Sequence, residues 1–441
     1  MELVLEKASK LKGNIFVPGD KSISHRSLIL GSIARGETRI SNFLNSLDCL
    51  KTLECMRALG AEIELGKNNS VKIKGKGLFG LQEPRDILDA GNSGTTIRLL
   101  AGLLSGQNFY SVLCGDASIR KRPMKRVVEP LRLMGADIWG RKDGQYAPLS
   151  VRGNKLNPLH YTLPVASAQV KTALLLAGLY TTGETVVKEP LPARDHTEKM
   201  LEIMQADIKI SPPEIKLMGG KELRGMDIFI PGDISSAAYF IAAATILKDS
   251  QITIKQVGVN PTRTGIIEML NKMGAKIDTL NYQIKSNEPQ ADLIVEYSKL
   301  KGVEIGKKDV PFLIDELPLI AVAATQAQGK TVVSGARELR VKETDRIKAI
   351  VSELKKMGAD IKEKEDGFIV EGPSKLKGAV CESYNDHRIA MSLAVAALLA
   401  EGKTVIRNSE CIDISFPGFK KILQNMINFP PSRGGSKKVG V

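Results

Sequence analysis

The stretch LKKMGADI, residues 354–361, joins the end of an apolar helical pattern to the start of a strand. Its glycine follows the last apolar helical residue, as a C-terminal cap does, and Ala-Asp-Ile then begins a polar–apolar alternation. Near-copies of its last five residues recur along the chain, and they are LGAEI at 59–63, MGADI at 134–138, MQADI at 204–208 and MGAKI at 273–277. The sequence therefore predicts a repeated helix-to-strand unit.

Upstream of each copy lies a run rich in Ala and Leu with the apolar spacing of a buried helix. The runs are SLILGSIA, TIRLLAGLL, VKTALLLAGL, AAYFIAAATI and LPLIAVAAT, with a sixth in MSLAVAALLA. Successive copies are 75, 70, 69 and 84 residues apart. Since solenoid repeats usually span about 20–45 residues, six units packed three and three into two globular domains fit better than a solenoid.

Two similar stretches mark the expected crossings between these domains. FVPGDKSISHRS occupies residues 16–27, and FIPGDISSAAYF occupies residues 229–240. We therefore expect one domain to contain residues 19–231 and the other to contain residues 1–18 plus 232–441, with the first strand of the chain in the second domain. A chain of 441 residues is long enough for two cores.

The charge balance points to small anionic ligands. The chain carries 63 Lys and Arg against 49 Asp and Glu, a net charge of +14. The basic residues are spread along the chain and aromatic residues make up only 5%, so no nucleic-acid partner is expected. Only the tail SRGGSKKVGV, residues 432–441, is locally basic, and we interpret it as a frayed terminus.

No membrane partner and no metal are expected. The sequence contains no apolar run of transmembrane length and no start resembling a secretory signal, so we expect a cytoplasmic protein. The five cysteines form no C-x-x-C pair, and the four histidines are far apart in sequence, which gives no local metal cluster.

Polar residues cluster where the apolar helices begin. A helix N-terminus offers free N–H donors and a partial positive charge to an anion. In PGDKSISHR, residues 18–26, Asp20 or Ser22 could simply cap the helix, but capping leaves Lys21 and Arg26 unexplained. DAGNSGTTIR, residues 89–98, adds two glycines that allow close approach of backbone amides to a ligand.

The other helix entrances carry further charged and amide side chains. They lie in RKRPMKR at 120–126, VASAQVK at 165–171, RDHTEKM at 194–200, LIDELP at 313–318, RVKETDRIK at 340–348 and NDHR at 385–388. For RVKETDRIK a plainer interpretation is a charged surface helix, in which Lys342, Glu343 and Arg346 share one face.

The motifs PGDKSISHR, GNSGTT-R, KRPM, SAQ, RDHTEKM, RVKETDR and NDHR resemble, in order, those of the 5-enolpyruvylshikimate-3-phosphate synthase family of enolpyruvyl transferases. The resemblance covers all but about the last dozen residues. It implies an α/β fold, a two-domain inside-out α/β barrel with six βαβαββ-type repeats, three per domain. Leu99, Ala168 and Ile414 replace residues of one branch and resemble the second, more divergent class.

The resemblance also implies the reaction. Enolpyruvyl passes from phosphoenolpyruvate to the 5-hydroxyl of shikimate 3-phosphate by addition and elimination, releasing phosphate, in the shikimate pathway to chorismate and the aromatic amino acids. No metal or organic cofactor is implied, and a monomer is expected because each cleft is built within one chain. Both substrates are multiply anionic, so the polar helix entrances are expected to face them.

Residue roles follow from the same resemblance. The catalytic residues implied are Lys21, Asp315, as the base for the 5-hydroxyl, and Glu343, for proton transfer at the methylene carbon. The residues implied to bind phosphoenolpyruvate are Lys21, Asn92, Gly94, Arg122, Gln169, Arg346 and Arg388. Those implied to bind shikimate 3-phosphate are Lys21, Ser22, Arg26, Ser167, Ala168, Gln169, Arg194, Asp315 and Lys342.

Two other functions are considered. An enolpyruvyl transferase acting on UDP-N-acetylglucosamine would usually carry a loop cysteine near Ala117, where this chain has none. A non-catalytic anion-binding scaffold would gain nothing from carboxylates such as Asp315 and Glu343 among cations. Because Gly94 leaves space beside the ligand, sensitivity to glyphosate is also expected.

Overall fold

The computed structural model describes residues 1–427, so the basic tail at 432–441 lies outside the described residues. The strands are β1 (Glu2–Leu5), β2 (Lys12–Phe16), β3 (Ala34–Ser41), β4 (Glu62–Leu65), β5 (Val71–Lys76), β6 (Leu88–Asp89), β7 (Tyr110–Cys114), β8 (Asp137–Gly140), β9 (Tyr146–Arg152), β10 (His160–Thr162), β11 (Glu184–Lys188), β12 (Asp207–Ser211), β13 (Glu214–Met218), β14 (Leu223–Arg224), β15 (Asp227–Phe229), β16 (Gln251–Gly258), β17 (Lys276–Lys285), β18 (Glu288–Glu296), β19 (Glu304–Ile305), β20 (Gly329–Val333), β21 (Asp360–Lys364), β22 (Gly367–Gly372), β23 (Val380–Glu382) and β24 (Thr404–Arg407).

The helices alternate with these strands. They are α1 (Lys21–Ile33), α2 (Leu47–Ala58), α3 (Gly94–Ser105), α4 (Lys125–Leu133), the single turn α5 (Arg141–Gly144), α6 (Ala168–Gly178), α7 (His196–Ile203), α8 (Ile234–Ile246), α9 (Gly265–Lys272), the single turn α10 (Val310–Leu313), α11 (Leu317–Ala324), α12 (Arg346–Lys356), α13 (His387–Ala397) and α14 (Phe419–Ile427). Short 3-10 helices cover Ile119–Lys121, Ile314–Glu316, Arg337–Val341 and Ser409–Ile414. No helix within residues 1–427 is long and apolar enough to cross a bilayer.

The strands form six small sheets, and the fold is mixed α/β as predicted. Three sheets each come from one continuous segment, in the orders β6-β7-β9-β8, β10-β11-β13-β12 and β19-β20-β22-β21. In each of them the first two strands are parallel and the remaining pairs are antiparallel.

In two further sheets the outer strand comes from a distant part of the sequence. β2 pairs in parallel with β16, and β14 and β15 pair in parallel with β3. The last sheet has the order β1-β24-β23, so both N-terminal strands pair with strands from the second part of the chain.

Burial follows the apolar helices. In α8 all thirteen residues are buried, as an all-round apolar sequence requires. One hydrophobic cluster contains buried residues between 23 and 230, and the other contains residues between 3 and 17 and between 234 and 426. We call the chain around the first cluster the N-terminal half (residues 21–230) and that around the second the C-terminal half (residues 2–17 and 234–427).

Glycine makes the sharp helix-to-strand junctions possible. Gly60, Gly135, Gly274 and Gly358 have φ of 86°, 92°, 101° and 88°, in the left-handed region where a Cβ is disfavoured. In the copy MQADI the same position is Gln205, at φ 65°. The junctions therefore have the cap geometry that GADI predicts.

The two Pro-Gly-Asp stretches lie against each other. The Asp20 N–H donates to the Pro231 carbonyl at 2.9 Å, and the Asp233 N–H donates to the Pro18 carbonyl at 2.8 Å. A Cβ on Gly19 would lie 1.9 Å from the Asn42 carbonyl oxygen, so this close approach requires glycine. The reciprocal bonds bring the starts of α1 and α8 together.

Candidate active site

Side chains cap the helices whose entrances carry the predicted site. Asp20 Oδ1 accepts from the Ile23 N–H at 2.9 Å, Ser93 Oγ from Thr96 and Ser167 Oγ from Val170. Asp20, not Ser22, is thus the cap of α1, and Ser167 caps α6 directly before Ala168, the first residue of that helix. One N–H group at the start of each of these helices is satisfied in this way.

Asp315 lies among four cations. Its carboxylate contacts Arg346 at 3.3 Å, Arg388 at 3.6 Å and Lys342 at 3.7 Å. Arg194, from the N-terminal half, also donates to it. Burial acts to raise the pKa of Asp315, but the surrounding cations hold that pKa well below its usual range. The carboxylate is therefore ionised at neutral pH.

Glu343 is the second carboxylate held by cations. It accepts from Arg346 Nη2 at 2.5 Å and contacts Arg122 Nη2, from the N-terminal half, at 3.2 Å. Burial opposes ionisation of Glu343 as well, yet Arg346 and Arg122 lower its pKa well below the usual range. Arg346 thus links both carboxylates, and its Nε donates to Asp386 at 2.7 Å.

The segment RVKETDRIK is not one surface helix, so that interpretation is wrong. Residues 342–344 form a bend, Asp345 caps α12, and the helix begins at Arg346, which is only 1% exposed. The bend brings Lys342 and Glu343 to the same cluster of charges as Arg346. Of the side chains that a continuous helix would place on a solvated face, Arg346 is therefore buried, and Lys342 and Glu343 are half-buried.

The entrance of α3 holds the predicted residues of the second motif. Asn92 Oδ1 accepts from Arg122 Nη2 at 2.9 Å. Gln169 Oε1 accepts from Arg98 Nη1 at 2.7 Å, and its amide donates to Thr95. A Cβ on Gly94 would lie 2.8 Å from Arg98 Nη1 and 3.2 Å from Arg122 Nη1. Glycine here lets both guanidinium groups approach the helix entrance.

The residues of the first motif are bound to other partners. The Lys21 ammonium donates to Asp48 at 3.0 Å, a residue that the motif comparison does not contain. Arg26 is 3% exposed, and it donates to the hydroxyls of Thr197 and Thr172 and to the Ser22 carbonyl. None of these three predicted residues directly contacts Asp315 or Glu343 among the interactions of residues 1–427.

Three residues without an assigned role also belong to this region. Arg98 contacts Gln169 as described, and Asp48 contacts Lys21. His387 is 4% exposed, and burial followed by the charge of Lys21 lowers its pKa well below the usual range, so its ring is neutral. Asp48 lies in the first turn of α2, and its sequence signal is an acidic residue at the entrance of that helix.

Two predicted features lie at the edge of the site. Ala168 is half-buried at the start of α6. Ile414 ends the 3-10 helix Ser409–Ile414 and packs against the C-terminal hydrophobic cluster. In residues 1–427, no group of three or more His, Cys, Asp or Glu side chains is arranged to hold a metal ion.

The two carboxylates thus lie among guanidinium groups from both halves, an arrangement that attracts anions and provides groups able to exchange protons. The fold is that of an enolpyruvyl transferase. The enolpyruvyl transferase NikO from Streptomyces tendae matches it with a TM-score of 0.78 at 18% identity, over 96% of this chain and 97% of that one.

The chain belongs to the EPSP synthase (3-phosphoshikimate 1-carboxyvinyltransferase) family, which matches residues 5–423. A relative from Thermoanaerobacter sp. (strain X514), named 3-phosphoshikimate 1-carboxyvinyltransferase, is 55% identical over 421 residues, covering 96% of this chain and 99% of the relative. A structure of EPSP synthase from Acinetobacter baumannii has a TM-score of 0.86 at 46% identity, over 96% of this chain and 98% of that chain. The predicted family and transferase activity are confirmed.

Proposed function

We propose that this site transfers enolpyruvyl from phosphoenolpyruvate to the 5-hydroxyl of shikimate 3-phosphate and releases inorganic phosphate, in the shikimate pathway to aromatic amino acids. The observation that carries the proposal is the pair of carboxylates, Asp315 and Glu343, each bound to guanidinium groups from both halves of the chain. Such a pair supplies two proton-transfer groups inside a site that attracts anions.

Phosphoenolpyruvate would bind where arginines meet at the entrances of α3, α12 and α13. The proposed ligands are Lys21, Asn92, Gly94, Arg122, Gln169, Arg346 and Arg388. Arg122 and Arg346 present planar N–H pairs suited to a carboxylate or phosphate. Arg388 is 7% exposed, so its bond to a substrate anion would be little weakened by water. Ile414 contributes packing and no charge to this group.

Shikimate 3-phosphate would lie toward α1, α6 and α7. The proposed ligands are Lys21, Ser22, Arg26, Ser167, Ala168, Gln169, Arg194, Asp315 and Lys342. Arg194 and Lys342 both contact Asp315, so a phosphate bound by these cations would lie beside the proposed base. The entrance of α6, with Ser167 and Ala168, supplies N–H donors.

Substrate binding would activate the two carboxylates. A substrate phosphate or carboxylate competes with Asp315 and Glu343 for the same guanidinium donors. Since these cations are what lowers the two pKa values, sharing them with a substrate raises both pKa values toward those of effective proton acceptors. Binding and chemistry are coupled in this way.

The steps then balance with the residues named. Asp315 takes the proton as the 5-hydroxyl oxygen attacks C2 of phosphoenolpyruvate. Glu343, which takes up a proton from water once the substrates share its arginines, delivers that proton to the methylene carbon. In the elimination the Glu343 carboxylate takes a proton from the resulting methyl group, the double bond re-forms and the C2–phosphate oxygen bond breaks. The departing phosphate takes the proton that Asp315 holds, so both carboxylates are regenerated. Lys21 would offset charge on the departing phosphate. Every step is acid–base or electrostatic, so no cofactor is required.

The finer architecture is part of the proposal. Six sheets of related strand order support six βαβαββ-type repeats arranged as a two-domain inside-out α/β barrel. The pairing of β2 with β16 supports a domain of residues 1–18 with 232–441, and the pairing of β15 with β3 supports a domain of residues 19–231. All proposed site residues come from one chain, which is consistent with a monomer.

Phosphate release tests the proposed reaction. The assay combines phosphoenolpyruvate with shikimate 3-phosphate, and in parallel with UDP-N-acetylglucosamine. We expect release only with shikimate 3-phosphate and a fall of about 10²–10⁴-fold in Glu343→Gln, the usual contribution of a general acid–base group. Glu338→Gln is the matched control, because Glu338 lies in the same region but is 45% exposed in its side chain. Release with neither acceptor would refute the proposal.

Glyphosate sensitivity is a further test of the same site. Gly94 lies beside two guanidinium groups, and a larger residue would displace them. We therefore expect glyphosate to inhibit turnover in competition with phosphoenolpyruvate. Turnover that is unchanged at millimolar inhibitor would contradict the proposed position of phosphoenolpyruvate.

A further inference from the structure

A buried arginine outside the proposed substrate-binding set joins the two chain crossings. Arg263 lies two residues before α9 and is 4% exposed. Its Nη1 donates to Asp20 at 3.3 Å, and its Nη2 donates to Asp233 at 3.4 Å and to Ser235 Oγ at 2.7 Å. One guanidinium group therefore contacts the N-caps of both α1 and α8.

The two capping carboxylates need this cation. Asp20 and Asp233 are both buried, and their backbones are bound reciprocally through Pro231 and Pro18. Burial raises the pKa of Asp233, and the negative charge of Asp20 raises it further. The pKa of Asp20 is lowered, because Arg263 and other cations outweigh the effect of burial. Without Arg263, two carboxylates would face each other in a buried position.

The same guanidinium is connected to the phosphoenolpyruvate-binding set. Ser235 Oγ, which accepts from Arg263, donates to Glu316 Oε1 at 2.5 Å, and Glu316 Oε1 accepts from Arg388 Nη1 at 3.0 Å. On the other side, Asp233 Oδ2 accepts from the backbone N–H of Lys21 at 3.4 Å. Hydrogen bonds through at most two intermediate side chains thus join Arg263 to Arg388 and to Lys21.

We propose that Arg263 is a positioning residue for the transfer reaction: it fixes the entrances of α1 and α8 against each other and so orients Lys21 and Arg388 for phosphoenolpyruvate. The inference rests on the proposed function, because it assumes that these two residues bind phosphoenolpyruvate. It assigns to Arg263 no contact with either substrate.

The location of Arg263 supports this role. Arg194, which contacts Asp315, also lies two residues before its helix, α7. Arg263 is at the equivalent point before α9 but binds two aspartates and a serine of the protein. The arginine two residues before the helix therefore contacts Asp315 in the case of α7, and the two Pro-Gly-Asp stretches in the case of α9.

Steady-state kinetics of Arg263→Met and Arg263→Lys test the inference, after wild-type phosphate release has established the reaction itself. We expect Arg263→Met to raise the KM for phosphoenolpyruvate by about 10–100-fold, the usual effect of losing hydrogen bonds to a charged group. The KM for shikimate 3-phosphate should rise less than that for phosphoenolpyruvate, because of the two oriented residues only Lys21 also belongs to the shikimate 3-phosphate set. Arg263→Lys should recover part of the loss. Arg337→Met, at an arginine whose side chain is 79% exposed, is the control.

A double variant separates positioning from stability. In Arg263→Met/Asp233→Asn one of the two facing negative charges is removed and with it their repulsion, so the melting temperature should return toward that of wild type. The link through Ser235 to Arg388 is not restored, so the KM for phosphoenolpyruvate should stay high. The inference is overturned if Arg263→Met leaves that KM unchanged, or if both KM values rise together and both recover in the double variant. An inactive wild type would instead refute the proposed function, while melting of the same variants still tests the bridge.

Discussion

Two buried arginines of the N-terminal half, Arg26 and Arg98, have surroundings opposite to those of Arg346 and Arg388 in the C-terminal half. In the N-terminal half, Arg26 and Arg98 contact hydroxyl, amide and carbonyl oxygens, and neither has a carboxylate within salt-bridge distance among residues 1–427. In the C-terminal half, Arg346 contacts Asp315, Glu343 and Asp386, and Arg388 contacts Asp315 and Glu316.

The pKa values of these arginines differ in the same way. Burial lowers the pKa of Arg26 to about 10 and that of Arg98 to about 9. Burial opposes the charge of Arg346 too, but Asp386 and Glu343 raise its pKa above the usual value. Cations without carboxylates gain most from a substrate anion, whereas cations paired with carboxylates control proton transfer. We therefore expect Arg26 and Arg98 to contribute to anion binding alone, and the carboxylate-paired arginines of the C-terminal half to contribute to proton transfer as well as to binding.

The largest effect should come from Asp315→Asn. Loss of the proposed base should lower kcat for phosphate release by about 10²–10⁴-fold, with a smaller change in either KM. Asp309→Asn is the matched control, because Asp309 is a nearby acidic residue whose partner, Lys272, is exposed. A rise in KM at unchanged kcat would show that Asp315 only binds substrate and would remove the distinction between the halves.

Arg122→Lys should have the next largest effect. Its guanidinium contacts Asn92, Ser118 and Glu343 at once, and an ammonium cannot reproduce that geometry. We expect the KM for phosphoenolpyruvate to rise by about 10–100-fold, with kcat less affected. Arg120→Lys, at an exposed arginine two residues away, is the control. A loss confined to kcat would place chemistry in the N-terminal half as well.

The stability of Asp315→Asn should depend on pH. A carboxylate with a lowered pKa stabilises the folded state above its unfolded pKa, and this contribution is lost as pH falls through the folded pKa. The variant leaves four cations facing one another, so we expect a loss of roughly 1–3 kcal/mol at pH 7. The difference from wild type should shrink below about pH 4, near the usual pKa of Asp. Urea unfolding at several pH values measures it, and a pH-independent difference would contradict the assigned ionisation.

Much of the fold follows from local patterns in the sequence. The GADI junctions depend on one residue with positive φ, and the apolar helices depend on uninterrupted Ala and Leu, so both are visible in short windows. The exchange of β2 and β15 between sheets was indicated only by the repeated PGD. Parallel pairing joins β2 to β16 across 239 positions (Lys12 to Gln251) and β15 to β3 across 188 positions (Asp227 to Arg39), and the sequence holds no local signal for either.

The clustering of the candidate site residues was predictable where the motifs contain them, and not where their partners come from other parts of the chain. Asp315, Glu343 and Arg346 lie in quoted motifs and meet in one cluster. Asp48 and Arg263 lie in ordinary-looking helix starts, and only the packing of other elements gives them Lys21 and Asp20 as partners. The bend before Arg346 also escaped the helical spacing, because Asp345 starts the helix later than the charge pattern suggests.

The smallest effect should come from the exposed pair between the two halves. Arg126 Nη1 contacts Glu338 at 3.0 Å, with side chains 28% and 45% exposed. Such pairs contribute about 0–1 kcal/mol, so Glu338→Gln should change either KM by less than about 5-fold. This change should vanish near 1 M salt, where the Debye length is about 3 Å, whereas the buried Arg122–Glu343 contact should persist. If Glu338→Gln instead lowered kcat as much as Glu343→Gln does, the exposed contact between the halves, and not the carboxylates Asp315 and Glu343, would limit the reaction.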